Sequence, residues 1–218
     1  MKRVLVLSAV VLLSMGCATF DKGDGGGEWI SLFNGENLDG WKINENPQTW
    51  KAEDGAIIAN GPRSHLFYMG PVENHNFKNF EFKADVMTTP GSNSGIYIHT
   101  KYQEKGWPTN GYEVQINNSQ PTEPRKTGGL YAVADVYKPP AGDNVWFTMN
   151  IIVRDNHIVT KVNGETLIDY VEPSNAARSE EWKDRRLSSG TFALQGHDPG
   201  SKVYFRNIMV RPDRKSVV

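Results

Sequence analysis

Two stretches decide the fold: Asn93-Ser94-Gly95-Ile96-Tyr97-Ile98-His99 and Gly111-Tyr112-Glu113-Val114-Gln115-Ile116. Both alternate with the two-residue period of a β-strand. In the second, Tyr112, Val114 and Ile116 share one face, and Glu113 and Gln115 the other. In the first, Ile96 and Ile98 share a face, opposite Asn93, Gly95, Tyr97 and His99. The apolar faces suit a core. The opposite faces carry an amide, a carboxylate, an imidazole and a phenol, with glycines that let another group approach the backbone. One such strand reads as an ordinary solvated face. Two of them read as neighbouring strands lining a groove.

The same alternation runs outward along the chain. Phe80, Phe82, Ala84 and Val86 face inward, against Glu81, Lys83, Asp85 and Met87. Phe192 and Leu194 oppose Gln195 and His197, while Val203 and Phe205 oppose Tyr204 and Arg206. Asp54-Gly55 and Asn163-Gly164 are hairpin turns, and Asp155-Asn156 closes a longer hairpin. Residues 128–133, holding Tyr131, read as a further strand. Residues 174–187 form the one helix-compatible stretch, which is short and highly charged. More than a dozen short strands with almost no helix predict an all-β fold. The expected form is a two-sheet antiparallel β-sandwich, a jelly roll with one concave groove. The polar faces of the strands bearing Asn93, Glu113, Tyr131 and His197 are expected to line that groove.

The 218 residues suit one large domain. A formal net charge of −1, with no basic run and no basic aromatic strand motif, argues against a nucleic-acid partner. Six Trp and eight Tyr fit stacking on pyranose rings, and fit a β core equally well. Lys2 and Arg3, the apolar run from Val4 to Leu13 and Ser14-Met15-Gly16-Cys17 read as an export signal over residues 1–16. Cys17 is the single cysteine, so no intrachain disulfide forms. Its position resembles a bacterial lipobox, with Ser14 where leucine is usual. The expectation is lipidation at Cys17, a glycine-rich tether over residues 17–28 and a folded domain over 29–214. The lipid would hold the protein on a membrane in the bacterial periplasm or at the cell surface.

Several motifs occur in an order that resembles a known family. They are Leu32-Phe33-Asn34-Gly35 with Asp39-Gly40-Trp41, Asn93-Ser94-Gly95-Ile96, Gly111-Tyr112-Glu113-Val114-Gln115, Thr127-Gly128-Gly129-Leu130-Tyr131, Leu194-Gln195 with His197, and Phe205-Arg206-Asn207-Ile208. Together they resemble the 3-keto-disaccharide hydrolase domain, from about Trp29 to Arg211. The resemblance implies a concanavalin-A-like jelly roll acting on glycosides whose sugar carries a ketone at carbon 3. This chain has His99 where the family often has arginine, and Gly196-His197-Asp198 where it often has Asp-His-Gly.

A ketone at carbon 3 acidifies the hydrogen on carbon 2. A base removes that proton, the enolate expels the substituent at carbon 1, and water adds later. The route needs a base, a stabiliser for the enolate oxygen and an acid for the leaving group. It does not need the paired carboxylates of ordinary glycosidases. His197 and Glu113 are the candidate catalytic residues, because imidazole titrates near neutrality and a carboxyl raised by burial becomes an acid. Asn93, Gln115, Gln195 and Arg206 are candidate donors to sugar oxygens. Tyr97, Tyr131 and Trp107 are candidate stacking surfaces, and Asp85 and His99 complete the expected substrate-binding set. Glu113, His197, Asp85 and His99 also have the atom types to hold a divalent metal ion, although no spacing matches a zinc or calcium motif. His65, His75 and His157 are scattered and receive no role. Two other functions stay open: a non-catalytic carbohydrate-binding module and a conventional glycoside hydrolase.

Overall fold

The computed structural model describes residues 27–213. The expected signal, Cys17 and the tether up to residue 26 lie outside the described residues. Thirteen strands follow in order: β1 (Ile30–Ser31), β2 (Trp41–Ile43), β3 (Trp50–Glu53), β4 (Ala56–Asn60), β5 (Ser64–Tyr68), β6 (Phe80–Thr88), β7 (Ser94–Thr100), β8 (Tyr112–Ile116), β9 (Phe147–Arg154), β10 (His157–Val162), β11 (Glu165–Val171), β12 (Thr191–Gly196) and β13 (Lys202–Pro212).

They form two antiparallel sheets. The larger has eight strands, in the order β11-β10-β9-β6-β13-β4-β3, with β1 also paired to β13. The smaller runs β2-β5-β12-β7-β8. Its neighbours are far apart in sequence, so β12 reaches its place between β5 and β7 only when the chain is nearly complete. The alternation read from the sequence sets which faces meet. Phe80, Phe82, Ala84 and Val86 of β6 pack with Phe147, Met149 and Ile151 of β9 against Ile96, Val114 and Leu194 of the smaller sheet.

Phe192 is the centre of this core. Its ring lies 4.6 Å from Phe77, 4.9 Å from Phe80 and 4.8 Å from Phe82, tying the two sheets together. Offset and edge-on contacts at such spacing add to the area term. Phe192→Ala should therefore cost about 3–5 kcal/mol of unfolding free energy. Denaturant titration checks this; a loss under ~1 kcal/mol would mean that the sheets repack around the gap.

Two sequence expectations are corrected. Residues 128–133 are not a strand: they form a tight turn beside β8, in which the Val133 and Ala134 amides both donate to Leu130 O. Positive φ at Gly128 (92°) and Ala132 (58°) breaks the extended path. Residues 174–187 form no α-helix, only one 3-10 turn at Glu180–Trp182. Arginine side chains cap carbonyls of the irregular path instead: Arg178 Nε donates to Arg185 O at 2.9 Å and Arg186 Nη2 to Ala176 O at 2.7 Å.

Candidate active site

The outward face of the smaller sheet is laid out in rungs. One rung runs Phe67, Ala193, Tyr97, Glu113 across β5, β12, β7 and β8. On the next, Gln195 pairs with His65 and Gly95 with Gln115. A pocket of about 290 Å³ opens on this face, lined by Asn93, Tyr97, Trp107, Glu113, Gln115 and Tyr131, together with Glu123, Glu181, Trp182, Arg185, Gln195 and His197. All six residues expected to converge from strand parity (Asn93, Glu113, Gln115, Tyr131, Gln195 and His197) line it, as do Tyr97 and Trp107.

Glu113 is the centre of the pocket wall, only 6% exposed. Tyr97 donates its hydroxyl to Oε2 at 3.0 Å, and Gln195 Nε2 donates to Oε1 at 2.8 Å. The Arg185 guanidinium stands 4.0 Å from Oε2 and is itself 97% shielded, its exposure being 3%. Burial pushes the Glu113 carboxyl above the usual range, and Arg185, Gln195 and Tyr97 pull it only part of the way back. Burial likewise pushes the Tyr97 hydroxyl well up, aided by the Glu113 charge.

His197 stands on the other wall, just past β12. Its Nδ1 is 2.6 Å from Asp198 Oδ2, which also accepts from Ser201 Oγ at 2.9 Å. Burial raises the Asp198 carboxyl, but the bonds from His197, Ser201 and the Gly200 amide outweigh it and hold the group below its ordinary value. An ionised Asp198 fixes the proton on Nδ1 and leaves Nε2 as the free, basic nitrogen. Trp107 packs beside the imidazole, ring centroids 5.2 Å apart.

Gly95 has a specific steric reason. A Cβ there would lie 2.8 Å from Glu113 Oε1 and 3.0 Å from its Cγ. Gly95→Ala should push the carboxyl out of its bonds to Tyr97 and Gln195, and lower activity by about tenfold or more while the domain stays folded. Activity retained at wild-type level would show that the position of Glu113 is not critical.

Three expected site residues lie elsewhere. Asp85 and Arg206 are neighbours in register on β6 and β13, with Arg206 Nε 3.6 Å from Asp85 Oδ2. They occupy the outer face of the larger sheet, on the far side of the sandwich from the pocket. Asp85 accepts from Thr148 Oγ1 and Asn207 Nδ2, and Arg206 stacks on Trp146 at 3.9 Å. His99 leaves the groove because β7 carries one extra residue against β12 between the pairs Tyr97–Ala193 and Thr100–Thr191. With φ of 54°, His99 turns inward at this bulge, its ring on Phe80 and its Nε2 at 2.8 Å from Lys78 O. The four candidate metal donors are thus dispersed. Among the described residues no group of three or more His, Cys, Asp or Glu side chains is placed to hold a metal ion.

The sequence reading missed Arg185, Trp182 and Glu123, which come from loops with no alternation. Arg185 stacks on Trp182 at 3.9 Å and donates from Nη1 to Tyr131 O. Glu123 is tied to Arg125 at 3.0 Å. The reading also passed over His65, which lies on the pocket face beside Gln195, edge-on to Tyr97 at 5.4 Å and Trp107 at 5.5 Å. Neither of its ring nitrogens has a partner, and burial, with the nearby charges of Arg63 and His197, pulls its pKa down to about 3. It is a neutral packing group beneath Trp107.

The family model described as the 3-keto-alpha-glucoside-1,2-lyase-like domain matches residues 28–211. The chain belongs to that family. Among solved structures, a candidate glycosyl hydrolase from Parabacteroides distasonis is 26% identical, with 84% of this chain and 93% of that one covered at a TM-score of 0.69. A second from the same organism is 23% identical over 85% of this chain and 100% of the other, TM-score 0.64. The carbohydrate-binding module CBM66 of Bacillus subtilis shares the fold alone, at 14% identity over 79% and 95% of the two chains, TM-score 0.57. No curated protein matched the sequence. The lyase-like domain therefore spans nearly all of the described chain, and its pocket has the amide, aromatic and carboxyl lining of a carbohydrate site.

Proposed function

We propose that the protein cleaves the glycosidic bond of 3-keto-glycosides, disaccharides among them, by taking the proton from carbon 2, expelling the substituent at carbon 1 and then adding water across the resulting double bond, so that carbon 2 regains a proton from solvent. The observation that carries this reading is the pairing, in one pocket, of an imidazole oriented by Asp198 with a single deeply buried carboxyl. His197 Nε2 is the base. The Arg185 guanidinium faces the negative charge that develops on the former ketone oxygen. Glu113, its carboxyl raised by burial, hands a proton to the departing oxygen at carbon 1. Asn93 Oδ1, Gln115 Nε2 and Gln195 Oε1 are buried atoms without protein partners, and sugar hydroxyls would satisfy them. Trp107 and Tyr131 flank the ring.

A conventional glycosidase would need two carboxyls free to face the anomeric carbon. Glu123 is neutralised by Arg125, and Glu181 is exposed at the rim, so neither matches Glu113 as a partner.

The deciding experiment incubates the protein with matched 3-keto and unoxidised disaccharides in deuterium oxide. The expected result is release of monosaccharide from the 3-keto sugar alone, with deuterium at carbon 2 of the product. Equal cleavage of both sugars, or a hydrated product that keeps its original hydrogen at carbon 2, would replace elimination by direct displacement at carbon 1; an unsaturated product with no hydrogen at carbon 2 would keep elimination and remove only the addition of water. No cleavage of either would favour a binding module.

A further inference from the structure

A second pocket, of about 510 Å³, opens on the same outward face of the smaller sheet, toward the opposite ends of its strands. Thr191 on its floor and Gln195 in the active site are four residues apart on β12, or about 13 Å. The loop after β7 separates the two. Its Tyr102 packs on Phe67 at 5.3 Å and lines the second pocket, while its Trp107 lines the first. From these features we infer that the second pocket is an independent binding site for a neutral pyranose unit of an oligosaccharide.

The lining has the chemistry of a sugar site rather than of an ion site. It offers the amides of Asn74 and Asn76, the hydroxyls of Thr100, Ser188 and Ser189, and the aromatic side of Tyr102. No carboxylate is present, and Lys101 is the one lysine or arginine in the lining, too few for a phosphate clamp. Thr100 Oγ1 is buried and has no partner, although Thr100 is only 1% exposed. A hydroxyl in that condition fits a ligand or a bound water.

The backbone at the rim is held in an unfavourable form. Glu73, Asn74 and His75 take φ of 49°, 51° and 48° in succession. Single left-handed residues are common at turns, but three in a row, two of them Glu and His, carry real strain. The strain has a visible consequence: it turns Asn74 and His75 toward the pocket, with His75 Nδ1 3.3 Å from Gly70 O. On the opposite rim Gly190 allows a close approach, since a Cβ there would lie 2.3 Å from Thr100 O. The site holds an unoxidised sugar at a distance from the reacting bond, and would keep the enzyme on a glycan while the first pocket works. It does not depend on the 3-keto chemistry proposed above.

The test is a titration of the labelled protein with three neutral glucose hexasaccharides, α-1,4-, β-1,4- and β-1,3-linked, followed by amide NMR. At least one should shift the Asn74, Asn76, Ser189 and Gly190 amides. Ser188→Arg, which fills the pocket from an exposed position, should abolish those shifts and leave 3-keto-disaccharide turnover at the wild-type rate. Tyr102→Ala should weaken the binding by about fivefold or more. No shift at these amides with any of the three sugars would overturn the inference, and so would shifts that survive Ser188→Arg.

Discussion

Replacing His197 with alanine should lower turnover of a 3-keto-disaccharide by about 10²–10⁴-fold, the usual contribution of a well-placed general base. The reason is local. Asp198, fixed by Ser201 and the Gly200 amide, holds the ring through Nδ1 and leaves Nε2 toward the pocket. No neighbouring side chain replaces that nitrogen: His65 is buried and neutral, its pKa pulled down to about 3. Added imidazole should restore part of the rate. Glu113→Gln should lose a comparable factor on a sugar leaving group, but far less on a nitrophenyl aglycone, which departs without a proton. The pH profile separates the two residues. A carboxyl that must be protonated works below its folded pKa, so wild-type activity falls as pH rises through the raised value of Glu113; Glu113→Gln lacks that limb. The same sign governs stability. A raised carboxyl contributes most below its unfolded pKa and loses that contribution as pH rises through the folded one. Both variants retaining more than a tenth of wild-type turnover would remove these side chains from the proton transfers.

Arg185→Met should reduce turnover by about 10²–10³-fold, in the range expected for loss of one preorganised charge stabiliser. The guanidinium is almost wholly buried, 4.0 Å from Glu113, clamped by Trp182 and the Tyr131 carbonyl. Its removal has a second effect of predictable sign. Arg185 lowers the Glu113 pKa, so without it that pKa rises further and the falling limb of the pH profile moves to higher pH. Arg185→Lys keeps the charge but loses the planar stack and the fixed fork, and should fall between the two. A Met variant with an unshifted pH profile and near-normal turnover would show that the guanidinium only anchors its loop.

Arg185 depends on a network no local pattern announces. Its loop is held by Glu172, which accepts from Tyr112 and from the Leu187 amide at 3.1 Å, and by Arg178, which donates to Tyr112 at 2.8 Å and Tyr170 at 3.0 Å. Tyr112 thus packs into the core side of the strand whose other side carries Glu113. One strand both presents the carboxyl and moors the loop that brings its counter-charge.

Strand parity alone assigned Tyr97, Glu113, Gln115 and Gln195 to one face. Side chains alternate at every residue, so an apolar set fixes its complement without any knowledge of neighbours. The motif order was equally legible, and the family match over residues 28–211 agrees with it. Parity does not say which of two outward faces a strand presents. Asp85 and Arg206 obey the same alternation as Glu113, yet belong to the larger sheet and so face away from the pocket. That choice is made by β6 and β13 pairing with each other, contacts more than a hundred residues apart in sequence. Parity also fails where the register slips. The one-residue bulge at the end of β7 turns His99 inward, and only the pairing of β7 with β12 reveals it. Last, side chains on irregular loops have no period to read. Arg185, Trp182 and Glu123 reach the pocket because tyrosine, arginine and backbone partners from other elements hold their loops there, and those partners meet only in the folded chain.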